Sequence, residues 1–221
     1  MPDFAAMRRA MIDGQVRTGN VTDLRVIAAM LDLPRERFVS PDKAELAYVD
    51  LDLSVGGSGR PARWLLKPMV LARLLQAAQV REGDRVLDIG AATGYSSAVL
   101  GRLAGSVVAL EEDPDLAQAA KRTLAELGLG NVTVVNGPLR VGWPKGGPYD
   151  LILLEGATEI VPHHLQAQLK EGGRLLCVLR RGAAGRAMLY RVQAGELSGW
   201  PVFDAMAPVL PGFEQVPEFV F

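Results

Sequence analysis

The sequence predicts an α/β protein with a doubly wound, mostly parallel sheet of the Rossmann-like kind, and three observations predict it. From residue 68 onward, short apolar runs alternate with stretches of helical periodicity, the pattern of strands joined by crossover helices. A glycine-bracketed turn, Gly90 to Gly94, joins the first such run to the helical stretch after it, as in nucleotide-binding folds. Hydrophobic residues make up 49% of the 221 positions, enough for a large buried core.

Taken in order, Phe4, Met7 and Met11 recur at helical spacing and predict a helix over Phe4–Val16. A second helix is expected over Asp23–Leu31, stopping before Pro34. Between Pro34 and Pro68 no period holds, and Gly56, Gly57, Gly59 and Pro61 read as a long loop. A helix follows Pro68 with Leu71, Leu74, Leu75 and Ala78 on one face. Then come a strand at Arg85–Ile89, a helix at Tyr95–Leu103 and a strand at Ser106–Leu110. Asp113-Pro114 is an N-cap with proline at the first helical position, opening a helix that closes near Gly128. Strands at Val132–Asn136 and Leu151–Leu154, a helix at Pro162–Leu169 and a strand at Arg174–Leu179 complete the alternation, with helices expected on both faces of the sheet. Ala187–Val192 and Val216–Phe221 read as an antiparallel edge hairpin. The expected organisation is a helical N-terminal cap and active-site loop over 1–67 and a nucleotide-binding core over 68–221.

Composition narrows the function. The formal net charge of −1 gives no electrostatic reason to expect nucleic acid or an anionic membrane as partner. The single cysteine, Cys177, excludes an intrachain disulfide and sits in an apolar run, as a core residue would. The segment from Met1 to Asp13 carries Asp3, Arg8, Arg9 and Asp13 and does not read as a signal peptide, and no run approaches the roughly 20 apolar residues of a membrane span. A cytoplasmic location is the expectation. His163 and His164 lack the further ligands a metal site needs. Arg180 and Arg181 read as a solvated strand end, and Trp64 and Lys67 border the expected site.

The candidate site is Asp88, Gly90, Ala91, Thr93, Gly94 and Tyr95, where strand passes through turn into helix. A dinucleotide fingerprint wants glycine where Ala92 stands, and a pyrophosphate would be repelled by Asp88. A sulfonium or an ammonium would be attracted by it. Glu111, about 20 residues on at the end of the next strand, is placed to accept hydrogen bonds from both hydroxyls of a ribose. Together these residues favour S-adenosylmethionine over NAD.

Several patches resemble one family, the protein-L-isoaspartate O-methyltransferases: Leu33-Pro34-Arg35-Glu36-Arg37-Phe38-Val39, Ala47-Tyr48-Val49-Asp50, Val86–Ser97, Gly142-Trp143-Pro144, Pro148-Tyr149-Asp150, Val161-Pro162 and Gln168–Leu175. The resemblance implies S-adenosylmethionine as cofactor and the α-carboxyl of an isoaspartyl residue in a damaged protein as methyl acceptor. It also implies cofactor contacts at Gly137, Pro138 and Leu139, where the family has Gly-Asp-Gly. The family carries a Thr-Ile-Ser-Gln-Pro-like stretch whose serine lies beside the acceptor carboxylate; here it reads Trp64-Leu65-Leu66-Lys67-Pro68, so Leu66 takes the serine's place. Glu155-Gly156-Ala157 stands where the family has small or hydroxylated residues. The departures at Leu66 and Pro138 keep a second expectation open: an S-adenosylmethionine-binding protein that has lost catalysis, or one with another acceptor.

Overall fold

The computed structural model describes residues 2–56 and 62–215. Helix α1 (Phe4–Met11) opens at Asp3, whose side chain accepts from the Ala6 N–H, and runs on through a π-turn at Ile12–Val16. Helix α2 (Leu24–Asp32) is capped by Asp23. The stretch read as a loop is more ordered than expected. It holds two 3-10 turns, Arg35–Phe38 and Pro41–Tyr48, and strands β1 (Leu53–Ser54) and β2 (Trp64–Leu65), which pair antiparallel. A 3-10 turn repeats every three residues and is short, so it leaves no 3.6-residue signature. Residues 57–61 of the expected loop lie outside the described residues.

The core follows the predicted alternation: α3 (Pro68–Ala78), β3 (Arg85–Ile89), α4 (Tyr95–Leu103), β4 (Ser106–Glu111), α5 (Pro114–Glu126) and β5 (Val132–Asn136). Asp113 caps α5 by accepting from the N–H groups of Asp115 and Leu116. After 3-10 turns at Leu139–Val141 and Pro144–Gly146 come β6 (Tyr149–Thr158), β7 (Leu169–Arg181), β8 (Ala184–Gln193) and β9 (Glu196–Asp204). The helix expected over Pro162–Leu169 is a 3-10 turn, His163–Gln168.

The sheet runs β5-β4-β3-β6-β7-β8-β9, parallel through β7 and antiparallel thereafter. The expected antiparallel edge is present, with one correction. The partner of β8 is β9, joined by a two-residue turn in which Ala194 (φ 53°) and Gly195 (φ 77°) both take left-handed backbone, as the turn that matches strand twist requires. Among the described residues β9 is an edge strand, where Pro201 is tolerated. Val216–Phe221, the strand expected there, lies outside the described residues.

Neighbouring strand residues face opposite sides, and two buried cores result. Val86, Val107, Leu151, Leu153 and Val178 join residues of α2, α3, α4 and α5 in the first. Leu87, Ile89, Leu110, Ile152 and Leu175 form the second with Leu139, Leu165, Leu210 and Phe213. Right-handed crossovers stepping from β3 to β5 place α4 and α5 on one face, and the return through β6 and β7 places its connections on the other. That second face carries 3-10 turns, with Leu210 and Phe213 packed against it, where an α-helix was expected. Cys177 lies in the second core, its thiol pushed up to about 12 by burial, which suits packing and not nucleophilic chemistry. Among the described residues no helix is long and apolar enough to cross a membrane.

Two features aim the sheet at a ligand. The strand order reverses between β3 and β6, which opens a crevice at the carboxyl ends of those strands. A register shift between Leu153 and Ala157 lets β6 bulge there, carrying Glu155 and Gly156. At the opposite end of the sheet, Arg174 of β7 pairs with Asp84 just before β3, both buried, and Asp84 also accepts from the Arg81 N–H at 2.8 Å. Removing one member of a buried pair strands the other charge. Asp84→Ala is therefore expected to lower the unfolding free energy by about 3–5 kcal/mol; an unaltered urea midpoint would show that Arg174 needs no counter-charge.

Candidate cofactor site

The glycine-bracketed turn is pinned from two sides. The N–H groups of Gly90 and Ala91 donate to the Leu110 carbonyl at 2.9 and 3.1 Å, locking the turn to β4. Gly90 (φ 85°) and Gly94 (φ 95°) take left-handed backbone that favours glycine. A Cβ on Gly94 would come within 3.1 Å of the Ala120 methyl, so glycine here also lets α4 approach α5 closely. Ala92 takes left-handed backbone as well, at φ 50°.

From the other side, the Arg35–Phe38 turn braces the same segment. The Thr93 hydroxyl donates to the Phe38 carbonyl at 2.6 Å, and the Phe38 ring meets Tyr95 edge-on at 5.4 Å. The Arg35 guanidinium lies 4.5 Å from the Tyr95 ring centroid and donates to the carbonyls of Ala47 (2.8 Å) and Leu66 (2.7 Å). Tyr95 is fully buried, and its hydroxyl has no hydrogen-bond partner among the described residues. Of the residues expected in the turn, Tyr95 and Thr93 thus serve to anchor it. The sequence signal in Leu33–Val39 has the same physical basis: these residues hold the turn in place.

Asp88 is completely buried on β3. One carboxylate oxygen accepts from the Ser96 hydroxyl at 2.7 Å and from that of Ser97; the other, Oδ1, has no partner among the described residues. Burial raises the Asp88 carboxyl to about 6, against the two serine hydrogen bonds and with help from the Glu111 charge. Glu155 on the β6 bulge is also buried, its Oε1 without a partner among the described residues, and burial together with the Asp88 charge raises its carboxyl well above the usual range. Sequence reading singled out Glu155 only as a departure from the family. The crossover topology brings it beside Asp88.

Glu111 ends β4, where it accepts from the N–H groups of Ala92 (2.7 Å), Glu112 (2.9 Å) and Asp113 (3.0 Å). It also receives a two-pronged contact from Arg63, Nε to Oε1 at 3.0 Å and Nη2 to Oε2 at 2.8 Å, and both side chains are buried. Arg63 was missed in the sequence, because nothing in the spacing of Arg63 and Glu111 marks two residues so far apart as neighbours.

The remaining expected residues scatter. The Gly137 N–H donates to the Glu111 carbonyl at 3.2 Å, and the Asn136 amide donates to the carbonyls of Glu111 and Glu112. That stretch therefore borders Glu111, whereas Pro138 is exposed and Leu139 is buried in the second core. Leu66 is buried in the first core with its carbonyl held by Arg35. Arg180 is paired with Glu159 at 2.6 Å. Lys67 and Arg181 line an open cavity of about 840 Å³ with Met69, Val70 and Met206. His164 packs against Phe213, with its Nε2 2.6 Å from the Arg140 carbonyl.

The raised Asp88 value sets a pH dependence for the unliganded protein. A carboxyl raised from about 3.9 to about 6 on folding contributes stability in full below the lower value, and loses it as pH rises through the upper one. The loss is about 3 kcal/mol. Asp88→Asn should remove that loss, so that urea midpoints followed from pH 4 to 7 fall less steeply than in the parent. Parallel profiles would mean that Asp88 ionises as an ordinary aspartate.

Comparison with known proteins agrees with this geometry. The sequence pattern of the protein-L-isoaspartate(D-aspartate) O-methyltransferases (PCMT) matches residues 6–200. A protein-L-isoaspartate O-methyltransferase of Anaeromyxobacter sp. is 39% identical over 202 residues, covering 91% of this chain and 80% of its own. One from Rhodopseudomonas palustris is 40% identical over 173 residues, covering 78% and 69%. A solved protein-L-isoaspartate O-methyltransferase superposes with a TM-score of 0.81 at 28% identity over 93% of this chain and 66% of that one. A Plasmodium falciparum structure described as such an enzyme in complex with S-adenosyl-L-homocysteine gives 0.77 at 18% identity, a likeness of fold, over 95% and 99%. The chain belongs to the S-adenosylmethionine-dependent protein-L-isoaspartate(D-aspartate) O-methyltransferase family.

Proposed function

We propose that this protein transfers a methyl group from S-adenosylmethionine to the α-carboxylate of an L-isoaspartyl residue in a damaged protein, and that it does so in the cytoplasm. The observation that carries the reading is the placement of two buried carboxylates, Asp88 and Glu111, around one glycine turn at the reversal point of the sheet. The donor set suits the cofactor. Asp88 Oδ1, buried and without a partner among the described residues, is an acceptor open to a cationic or hydrogen-bonding group. Glu111 offers two oxygens to ribose hydroxyls, and Gly90, Ala91 and Gly94 keep side-chain bulk small where a ligand approaches. Gly137, Pro138 and Leu139 follow the strand that borders Glu111.

When bound, the cofactor supplies a methyl group activated on a sulfonium. The acceptor carboxylate is ionised at neutral pH and needs no base. The work of the protein is then orientation and exclusion of water. Lys67, which follows Leu66 in the chain, and Arg181 lie on the wall of one cavity and give an anionic acceptor a cationic surface. Glu155 keeps its proton to higher pH than an ordinary glutamate, which limits its repulsion of that acceptor.

One observation favours a second reading, cofactor binding without turnover: Leu66 is apolar and buried at the position of the family's serine. A carboxylate left without that donor binds worse by about 1–3 kcal/mol. Tritiated-methyl transfer to an isoaspartyl peptide separates the two. The parent is expected to turn over weakly, and Leu66→Ser to raise turnover by about tenfold while lowering stability by about 2–4 kcal/mol through lost burial. A folded Leu66→Ser that binds S-adenosylhomocysteine yet transfers no more methyl than its parent would remove this position from the acceptor site.

A further inference from the structure

Glu111 is the residue that should receive the ribose, yet Arg63 already holds both of its oxygens. The overlap is spatial as well as chemical. A Cβ built on Gly90 would lie 2.8 Å from Arg63 Nη2 and 2.8 Å from Leu210 Cδ2. The guanidinium therefore rests on the face of Gly90 that the turn leaves bare for a ligand. Arg63 is anchored through its backbone, its carbonyl accepting from the Val55 N–H at 2.9 Å beside the β1–β2 pair. Only its side chain reaches into the site, so a rotamer change frees Glu111 without dismantling the hairpin.

The fork also answers a physical need. With Asp88 and Glu155 nearby, three carboxylates are buried around the turn, and the Arg63 charge acts on Asp88 and Glu155 as well as on Glu111. A buried carboxylate with no cation or ligand is costly. We propose that Arg63 is an internal competitor for the cofactor: it occupies the ribose seat on Glu111 in the unliganded protein and must leave it before the nucleoside can bind. The proposal rests on the reading of Glu111 as the ribose-binding carboxylate. It makes Arg63 a residue that sets cofactor affinity by lowering it, the opposite of a residue that grips the cofactor. It also links the cofactor to the acceptor side, since Arg63 and Leu66 flank β2, the strand that leads into α3.

Calorimetric titration with S-adenosylhomocysteine tests this on the whole chain, with no dependence on turnover. Arg63→Ala removes the competitor. Arg63→Lys keeps a counter-charge for folding but loses the planar fork that engages both oxygens. Arg63→Ala is expected to bind at least tenfold more tightly than the parent, and Arg63→Lys to fall between the two. If Arg63→Ala folds only when saturated with S-adenosylhomocysteine, that too supports competition, because the ligand then satisfies Glu111. Affinity that falls or stays unchanged in Arg63→Lys overturns the proposal while leaving the cofactor reading intact. Absence of binding in the parent and both variants overturns the proposal and the cofactor reading together.

Discussion

A carboxylate buried at the end of a central strand has to be satisfied by donors that the fold itself delivers, and Glu111 is where this protein meets that demand. Three backbone N–H groups converge on it, one from the glycine turn and two from the chain entering α5, and Arg63 closes the shell. Those donors come from three separate stretches of sequence, so one side chain fixes how the β1–β2 hairpin, the turn after β3 and the start of α5 sit relative to each other. Arg35 does a parallel service from the other direction by tying Ala47, Leu66 and Tyr95 together. Glu111 and Arg35 thus hold the turn from two sides, each through hydrogen bonds to backbone groups.

The same arrangement explains why the site is electrostatically unsettled. Asp88 and Glu155 meet because β3 and β6, distant in sequence, are neighbours at the reversal of the sheet. Each has a carboxylate oxygen with no partner among the described residues, and each is raised by burial and by the charge of a neighbouring carboxylate. A protein folded for stability alone would replace such groups with apolar ones at little cost. Their presence in a crevice is what a ligand site requires, and family membership says which ligand class to expect.

Much of this was legible in the sequence wherever a local rule governs structure. Arg85–Ile89, Tyr95–Leu103 and Val132–Asn136 coincide with β3, α4 and β5 because period, caps and turn glycines all agree there. Asp113-Pro114 marked the start of α5 for the same reason. Reading failed where no local rule applies. His163–Gln168 winds as a 3-10 turn, and the turns at Arg35–Phe38 and Pro41–Tyr48 carry too few residues to set a period. The strand Glu196–Asp204 hides its alternation behind Gly199 and Pro201. In the site, Asp88 and Glu111 were visible from their positions at strand ends, whereas the Arg63 contact to Glu111 spans 48 residues and depends on tertiary packing alone. Leu66 was noticed as a missing hydroxyl; its burial in the first core is a property of the fold.

These features converge on one claim, that the nucleoside of the cofactor is seated on Glu111 above the Gly90 turn. A crystal structure of the protein soaked or grown with S-adenosylhomocysteine tests it most directly. The account predicts the ribose hydroxyls on the Glu111 carboxylate, the amino-acid end of the ligand toward Asp88, and the Arg63 guanidinium withdrawn from Glu111. A ligand bound elsewhere, or one bound at the turn with the Arg63 fork still closed on Glu111, would contradict it.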